Sequence, residues 1–278
     1  MTKNKLYVVL FSGGRTSAFL SKYIKENAKY KNTLFVFANT GKEREETLIF
    51  IDKCDKKFGL NLVWLEASVN PIKGKGTTYK IVNFKSASRK GEPFEAMLKK
   101  YPLPNNKASN CTRELKQRPI DSYIKENYKN YEIIKVIGIR ADEAHRKSLN
   151  AVRENIIYPL CDEIKVDSKF IRDWWCKQPF DLDLKDYEGN CDLCFKKSLK
   201  KRLTIISENP KVAEWWQKME EIHSCDKVPH FDLRTKISIS ELVELSKRKF
   251  RKAVDKYELS KQQYELFDFE TDCFCKNS

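Results

Sequence analysis

The chain has 278 residues and a formal net charge of +15, from 54 Lys and Arg against 39 Asp and Glu. Apolar residues make up 41%, no apolar stretch approaches the ~20 residues that a membrane span needs, and no leader-type cleavage site follows the first residues. These features exclude disordered, fibrous and membrane-spanning classes, and we expect a globular protein of the cytoplasm with no membrane partner.

Strands and helices alternate along the first half of the chain. Short apolar runs predict strands at residues 6–11, 34–37, 60–65 and 133–139. Helical periodicity predicts helices at residues 16–27, 43–58 and 113–127, the last started or kinked by Pro119. Because short strands that are apolar on both faces are typical of parallel sheets, the pattern indicates the α/β class with a doubly wound, mostly parallel sheet.

The remaining segments have a different character. Residues 67–92 are rich in Gly, Lys, Thr and Ser, which predicts a mobile surface loop that is a candidate lid. From Asp167, a predicted N-cap, the chain becomes helical and basic, and Ser240 is expected to cap a helix running through Lys256. We therefore expect a nucleotide-binding α/β domain at residues 1–165 and a helical, cysteine-bearing extension packed on it at residues 166–278.

A glycine loop follows the first strand and opens the first helix: Ser12-Gly13-Gly14-Arg15-Thr16-Ser17. The carboxyl end of a strand is where open α/β sheets bind ligands. The glycines expose backbone N–H groups, the helix N-terminus adds partial positive charge, and the hydroxyls supply donors, so the segment suits phosphate. A simple tight turn would fit the glycines alone.

At these residues the chain resembles the PP-loop of the N-type ATP pyrophosphatases, in which a strand leads into S-G-G-x-[TD]-S. Four further segments, in the family's order, are similar to motifs of its PAPS (phosphoadenosine phosphosulfate) reductase-like branch. They are Phe37-Ala38-Asn39-Thr40-Gly41-Lys42-Glu43, Asn110-Cys111-Thr112-Arg113-Glu114-Leu115-Lys116-Gln117-Arg118-Pro119, Ile137-Gly138-Ile139-Arg140-Ala141-Asp142-Glu143-Ala144-His145-Arg146 and Tyr158-Pro159-Leu160. The similarity spans roughly residues 5–200 and implies the adenine nucleotide alpha hydrolase-like fold.

The resemblance implies an adenine nucleotide as ligand, either ATP or a sulfonucleotide (APS or PAPS). Mg²⁺ is expected with ATP, because a triphosphate needs charge neutralisation. A guanidinium group can donate two parallel hydrogen bonds to the oxygens of a phosphate or sulfate. Arg113 and Arg146 would also fit surface ion pairs. The expected nucleotide-binding residues are Ser12, Gly13, Gly14, Arg15, Thr16, Ser17, Asn39, Thr40, Gly41, Arg113, Arg140 and Arg146.

Nine cysteines, an odd number in a cytosolic-type chain, argue against a disulfide framework. Cys191 and Cys194 form a C-x-x-C, and Cys111 precedes Cys191 by 80 residues, as in relatives that carry a [4Fe-4S] cluster. Asn110 stands where those relatives have a further cysteine, so a fourth ligand is sought in the tail. Cys275, or alternatively Cys273, would complete four thiolates. Zinc would accept the same set, and an unmetallated redox pair is a third possibility.

The family implies two kinds of chemistry. The first is cleavage of ATP between the α- and β-phosphates with sulfur transfer to an adenylated acceptor. The second is reduction of APS or PAPS. The tail lacks the reductases' E-C-G-L-H motif, so one of Cys273 and Cys275 is the candidate catalytic cysteine. A non-catalytic nucleotide- or nucleic-acid-binding adaptor is a third alternative.

The expected partners follow from the charge and from the sulfur chemistry. The net charge favours a nucleic-acid acceptor, whose phosphates would contact basic runs such as residues 247–252. Such runs are also commonly solvated helix faces. A cysteine desulfurase or a thioredoxin is the expected kind of sulfur-donor protein.

Overall fold

The computed structural model describes residues 4–72, 74–189 and 191–259, and within them six strands form one sheet. The strands are β1 (Asn4–Phe11), β2 (Thr33–Asn39), β3 (Val63–Val69), β4 (Thr77–Val82), β5 (Tyr131–Val136) and β6 (Ile156–Ile157). Their order is β4-β3-β2-β1-β5-β6, and every neighbouring pair is parallel except β3 and β4. The predicted doubly wound, mostly parallel α/β fold is confirmed.

Helices connect and flank these strands. In the α/β part they are α1 (Arg15–Glu26), α2 (Glu45–Phe58), α3 (Glu92–Leu98), α4 (Asn110–Thr112), α5 (Arg118–Asn127) and α6 (Pro159–Asp162). A π-helical turn, Arg113–Gln117, joins α4 to α5, and a 3-10 turn, Ala141–Arg146, follows β5. The C-terminal extension contains α7 (Ser168–Cys176), α8 (Leu199–Glu208), α9 (Val212–His223) and α10 (Ile239–Ser246). None of the described helices is long and apolar enough to cross a membrane.

Two predicted elements are wrong. The segment 67–92 is not loop throughout, because Thr77–Val82 forms the edge strand β4, paired antiparallel with β3. The predicted cap at Ser240 is also misplaced: Ser238 caps α10 with a capping box to Glu241, and the helix ends at Ser246 rather than near residue 256. By contrast, Asp167 caps α7 as predicted, accepting a hydrogen bond from the backbone of Phe170.

The position of β1 determines where a ligand can enter. β2 lies on one side of β1 and β5 on the other, so the chain changes direction along the sheet at this strand. Crevices in open α/β sheets form at such a switch point, beyond the carboxyl ends of the strands. The glycine loop follows β1 directly, and it therefore lies at the expected ligand crevice.

The C-terminal extension shares both of its apolar cores with the α/β part. On one side of the sheet Trp175 of α7 packs on Phe50 of α2, with ring centroids 5.0 Å apart. On the other, Trp216 of α9 packs on Phe94 of α3 at 5.3 Å. Both indoles are 1% exposed, as expected of large aromatic side chains that anchor a core.

Candidate functional site

The glycine loop is held open by its own hydrogen bonds. Gly13 has φ +80°, a conformation that favours glycine, and it turns the chain from β1 into α1. Ser17 Oγ accepts hydrogen bonds from the backbone N–H of Ser12 at 3.2 Å and donates to the carbonyl of Gly14 at 2.8 Å. Because Gly14 is the N-cap, no side chain caps the first turn of α1 with a hydrogen bond. The loop therefore presents a helix N-terminus, which attracts anions.

A polar cleft of about 500 Å³, here called the loop cleft, lies against this loop. All six residues 12–17 line it, together with Arg140 and Arg146 from the segment after β5. Cationic side chains from the C-terminal extension also line it, beside the acidic Glu143 and Asp186: Arg172, Lys185, Lys201 and Lys256. The cleft thus combines backbone donors with an excess of positive charge, which suits a polyphosphate.

Arg140 lies against the glycine loop, whereas Arg146 is more exposed. One guanidinium nitrogen of Arg140 donates to Thr16 Oγ1 at 3.1 Å, and its Nε lies 2.9 Å from Asp142. That guanidinium helps to hold the pKa of the Asp142 carboxyl below its ordinary value. Arg146 pairs with Glu143 and keeps 59% of its side chain exposed. The structure brings both arginines to the cleft, with only Arg140 in contact with the loop.

The side chain of Arg15 binds the C-terminal extension. Its Nε lies 2.8 Å from Asp181 Oδ1, and its guanidinium also donates to the carbonyls of Leu182 and Leu184. The guanidinium carbon lies 3.5 Å from the centre of the Tyr257 ring. Arg15 therefore contributes its backbone to the loop cleft while its charge is neutralised by Asp181.

Thr47, which sequence reasoning missed, lies in the wall of the loop cleft. It lies in the first turn of α2, is 3% exposed and lines the cleft opposite Gly13. Its Oγ1 is buried without a hydrogen-bond partner among the described residues. Buried hydroxyls are normally hydrogen-bonded, and this oxygen is unpaired although it has almost no exposed surface. No motif in the sequence marked this position.

A second, apolar cleft of about 510 Å³ adjoins the first. Its apolar wall comes from the ends of β1 and β2 and from α5: Leu10, Phe11, Val36, Ala38 and Ile120. Ser12 lines this cleft as well as the loop cleft, so the two meet at the start of the glycine loop. A ligand with an apolar ring at one end and phosphate at the other matches this shape.

Four predicted nucleotide-binding residues line neither cleft. Asn39, Thr40 and Gly41 are engaged in the turn after β2, where Asn39 donates to Glu66 and Thr40 to Glu43. Arg113 donates to Glu114 and lies over the ring of Tyr101. The structure does not place these four residues in the lining of the loop cleft.

The three described members of the predicted cysteine set share one charged neighbour, Lys116, which also lies 4.0 Å from Glu43. The charge of Lys116 acts on Cys111, Cys191 and Cys194, and Lys116 also lines the apolar cleft. Burial raises the pKa of the Cys111 and Cys191 thiols, and the ammonium of Lys116 opposes that rise. The cysteine set is thus next to the apolar cleft.

The C-x-x-C segment is fixed to the turn after β2. Asp192 receives the ammonium of Lys42 at 2.9 Å and the indole N–H of Trp216 at 2.7 Å. Cys191 Sγ lies 3.6 Å from Thr40 Oγ1. The ammonium of Lys197 donates to the carbonyl of Cys191 at 2.9 Å. These contacts place the C-x-x-C beside the sheet.

The described residues contain no group of three or more His, Cys, Asp or Glu side chains arranged to hold a metal ion. The predicted fourth ligand, Cys275 or Cys273, lies outside the described residues. Lys116 acts on all three described thiols, and the carboxylate of Glu43 opposes it at Cys191. Metal binding therefore stays a prediction for this set.

Comparison with known proteins identifies the family. The model of the phosphoadenosine phosphosulfate reductase domain matches residues 6–156, more than half of the chain. The uncharacterized nin region protein ORF290 of Escherichia phage lambda is 35% identical over 199 residues, which cover 70% of this chain and 67% of that protein. The uncharacterized protein MJ0066 of Methanocaldococcus jannaschii is 26% identical over 144 residues, 52% of this chain but only 25% of that relative. The chain therefore belongs to the PAPS reductase-like family of PP-loop proteins, as its motifs predicted.

Proposed function

We propose that this protein is an enzyme that uses ATP to activate an acceptor for sulfur transfer. The observation that carries the proposal is the position of Ser12, which lines both the loop cleft and the apolar cleft. An adenosine in the apolar cleft would extend its phosphates past Ser12 onto the glycine loop. Family membership supports use of an adenine nucleotide.

The proposed reaction has two steps. An acceptor oxygen attacks the α-phosphorus of ATP, the bond to the β-phosphate breaks, and pyrophosphate leaves. A sulfur nucleophile then displaces AMP from the adenylated acceptor, so that carbon bonded to oxygen becomes carbon bonded to sulfur. Mg²⁺ would accompany the triphosphate, and Arg140 would stabilise its charge from beside Thr16.

We place the sulfur chemistry at the cysteine set. Cys111, Cys191 and Cys194, with Cys275 or Cys273, would hold a [4Fe-4S] cluster, and the alternative occupant is Zn²⁺. Support comes from Lys116, which lines the apolar cleft while its charge acts on all three thiols. The second tail cysteine would carry sulfur in this proposal.

The acceptor and the sulfur donor belong to the same proposal. The net charge of +15 favours a nucleic acid or a nucleotide as acceptor. A cysteine desulfurase or a thioredoxin would supply sulfur or electrons. Reduction of APS or PAPS is the second candidate, favoured by the reductase domain model that matches residues 6–156.

Two measurements test the proposal. The first asks whether purified protein releases pyrophosphate from ATP or sulfite from APS and PAPS. Pyrophosphate supports ATP-dependent activation, sulfite supports the reductase, and the absence of both with nucleotide still bound supports the adaptor. Arg140→Ala is expected to lower the active reaction about 10- to 100-fold, as loss of a charge-assisted contact in the transition state does.

The second measurement is the absorbance spectrum and metal content of protein purified without oxygen. A broad band near ~400 nm with about four irons per chain, lost in Cys111→Ala and Cys194→Ala, supports the cluster. Cys225→Ala is the matched control, because Cys225 is exposed and lies outside the set. Zinc alone, or no metal in any variant, would overturn the iron-sulfur assignment.

A further inference from the structure

A run of cations follows the last helix of the C-terminal extension. Residues 247–252, here called the basic segment, include five Lys and Arg side chains, all of them exposed: Lys247, Arg248, Lys249, Arg251 and Lys252. α10 ends at Ser246, and residues 247–255 belong to no helix or strand. The basic segment is therefore not a solvated helix face, and helical amphipathicity does not explain its five charges.

Most cations of the basic segment have no acidic partner. Lys247 lies 2.6 Å from Glu244. Lys252 lies 3.9 Å from Glu208, a carboxylate that also pairs with Lys185 at 2.9 Å. Three cations have no ion pair or side-chain hydrogen bond within residues 4–72, 74–189 and 191–259: Arg248, Lys249 and Arg251. Positive charge that the protein leaves unpaired attracts polyanions.

Uncharged residues within and just after the basic segment hold its backbone in place. Phe250 and Ala253 pack against the apolar core that α8 and α10 share with the α/β part. The backbone N–H of Ala253 donates to Thr204 Oγ1 of α8 at 2.9 Å. Asp255, the only acidic residue between 247 and 257, accepts two backbone N–H groups. A partner would therefore meet exposed cations on an anchored backbone, which reduces the entropic cost of binding.

The basic segment lies close to the loop cleft. Thr204, which holds Ala253, follows Lys201 on α8 by three residues, less than one helical turn, and Lys201 lines the cleft. Further along the chain, Lys256 lines the same cleft. The five residues of chain from Arg251 to Lys256 span at most about 16–18 Å. A polymer bound to the basic segment is thus within reach of the ligand site.

We propose that the basic segment binds the phosphate backbone of a nucleic acid and leads it to the loop cleft. The inference rests on the proposed function, because it requires that the acceptor is activated in that cleft. It deepens the proposed function in two ways: the acceptor is a polynucleotide rather than a free nucleotide, and the surface that binds it is named.

The residue types in the basic segment predict the kind of binding. Arg248 and Arg251 each carry a guanidinium group, which can donate two hydrogen bonds to one phosphate. Phe250, the only aromatic residue of the segment, packs on the apolar core, so the groups that the segment contacts are phosphates and not bases. We therefore expect affinity to depend little on base sequence and steeply on salt concentration.

Fluorescence anisotropy with labelled oligonucleotides tests the inference. Wild-type protein and the triple variant Arg248→Ala, Lys249→Ala, Arg251→Ala are titrated with single-stranded and duplex DNA and RNA between ~50 and ~200 mM salt. We expect the triple variant to bind about 10- to 100-fold more weakly, and the slope of log affinity against log salt concentration to fall by about two to three. The affinity for ATP, measured by calorimetry, should change less than about twofold, because these three residues do not line the loop cleft.

The matched control is the triple variant Lys31→Ala, Lys53→Ala, Lys57→Ala. It removes the same charge from exposed lysines of the α/β part that line neither cleft. We expect it to weaken oligonucleotide binding less than about threefold. An equal loss in the two triple variants would overturn the inference, because overall charge alone would then explain the binding.

Two further outcomes assign the basic segment to a different partner. If wild-type protein binds vesicles of phosphatidylserine and phosphatidylcholine but no oligonucleotide, the partner is an anionic membrane surface and the inference is wrong. The acidic end of the chain is the other alternative, and it is tested with the variant Glu265→Gln, Asp268→Asn, Glu270→Gln, Asp272→Asn. If only this variant binds oligonucleotides, the segment's partner is the chain itself and the inference is wrong.

The inference and the function on which it rests can fail separately. If wild-type protein binds no oligonucleotide but releases pyrophosphate from ATP, the inference is wrong while the proposed function stands. If it releases no pyrophosphate, and oligonucleotide binding is lost in the basic-segment variant alone, the nucleic-acid surface stands while the proposed function fails.

Discussion

The guanidinium of Arg15 is joined to the carboxylate of Asp181 by two hydrogen bonds, of 2.8 and 3.1 Å, across 166 residues of chain. The residue that follows the glycine pair is thereby tied to the C-terminal extension. Both side chains are largely shielded from water, at 12% and 27% exposure. The shape of the glycine loop therefore depends on a contact from outside the family domain.

Asp181→Asn tests whether Arg15 acts as an anchor of the loop. The substitution keeps the positive charge of Arg15 but weakens its hydrogen bonds to residue 181. We therefore expect the free energy of unfolding to fall by about 1–3 kcal/mol. We also expect weaker ATP binding. Asp183→Asn, at an exposed neighbouring position, is the control. Unfolding in urea and calorimetry measure the two effects. Unchanged or tighter ATP binding in Asp181→Asn would mean that the freed guanidinium binds phosphate directly.

Gly13→Ala and Gly14→Ala should separate the fold of the loop from its ligand. At Gly13 φ is +80° and a Cβ would lie 2.6 Å from Thr47 Cγ2, whereas at Gly14 no atom lies within 4 Å of a Cβ. We expect Gly13→Ala to cost about 1–3 kcal/mol of unfolding free energy and Gly14→Ala less than about 1. Thermal unfolding measures both variants. Equal stability would contradict the strained loop conformation.

The buried carboxylate of Glu114 predicts a pH-dependent stability. Burial alone would raise the pKa of Glu114, but hydrogen bonds from Thr77 and Arg113 and the charge of Arg118 hold it below its ordinary value. A lowered folded-state pKa stabilises the protein above the unfolded-state pKa, ~4.3, and this stabilisation is lost as the pH falls through the folded-state pKa.

Glu114→Gln should therefore lower the free energy of unfolding by about 1–3 kcal/mol at pH 7, with a smaller difference from wild type near pH 3. Urea unfolding between pH 3 and 7 measures it. Glu221→Gln, at an exposed position, is the control. A difference that stayed constant with pH would show that the charge of Glu114 is not the cause.

Lys116→Met should slow the reaction of the cysteine set with an alkylating reagent. The ammonium of Lys116 favours the thiolate forms of Cys111 and Cys191, and thiolates are the nucleophiles. We expect iodoacetamide to label these two thiols about three- to tenfold more slowly in the variant at pH 8. Mass spectrometry measures the rates after treatment with a chelator and a reductant. Cys225 is the internal control, and Lys125→Met is the control variant.

The sequence predicted most of the sheet because its buried strands are apolar on both faces. β2, for example, is buried at six of its seven positions, which gives an uninterrupted signal. β4 was missed because an edge strand alternates weakly: Thr77 and Val82 are buried, while much of the strand between them is exposed. Gly74 and Gly76 just before it added a loop signal.

The site was predicted only in its local part. The glycine loop and Arg140 follow strands in the sequence and could be recognised from that spacing. Thr47, Lys201 and Lys256 come to the loop cleft through tertiary packing, and no local pattern marks a helix residue that faces a distant loop. Sequence reasoning therefore found the part of the loop cleft that the glycine loop and Arg140 form. It did not find the part that Thr47 and the C-terminal extension form.

The indole of Trp175 donates a hydrogen bond of 3.0 Å to the carbonyl of Arg15, and the ring of Tyr257 lies against the same residue's guanidinium. Both aromatic side chains lie beyond residue 156, where the family match ends. If recombination moved residues 6–156 alone into another gene, the glycine loop would thus lose its contacts with Trp175 and Tyr257. The shortest segment that contains the glycine loop together with both aromatic contacts therefore runs to Tyr257.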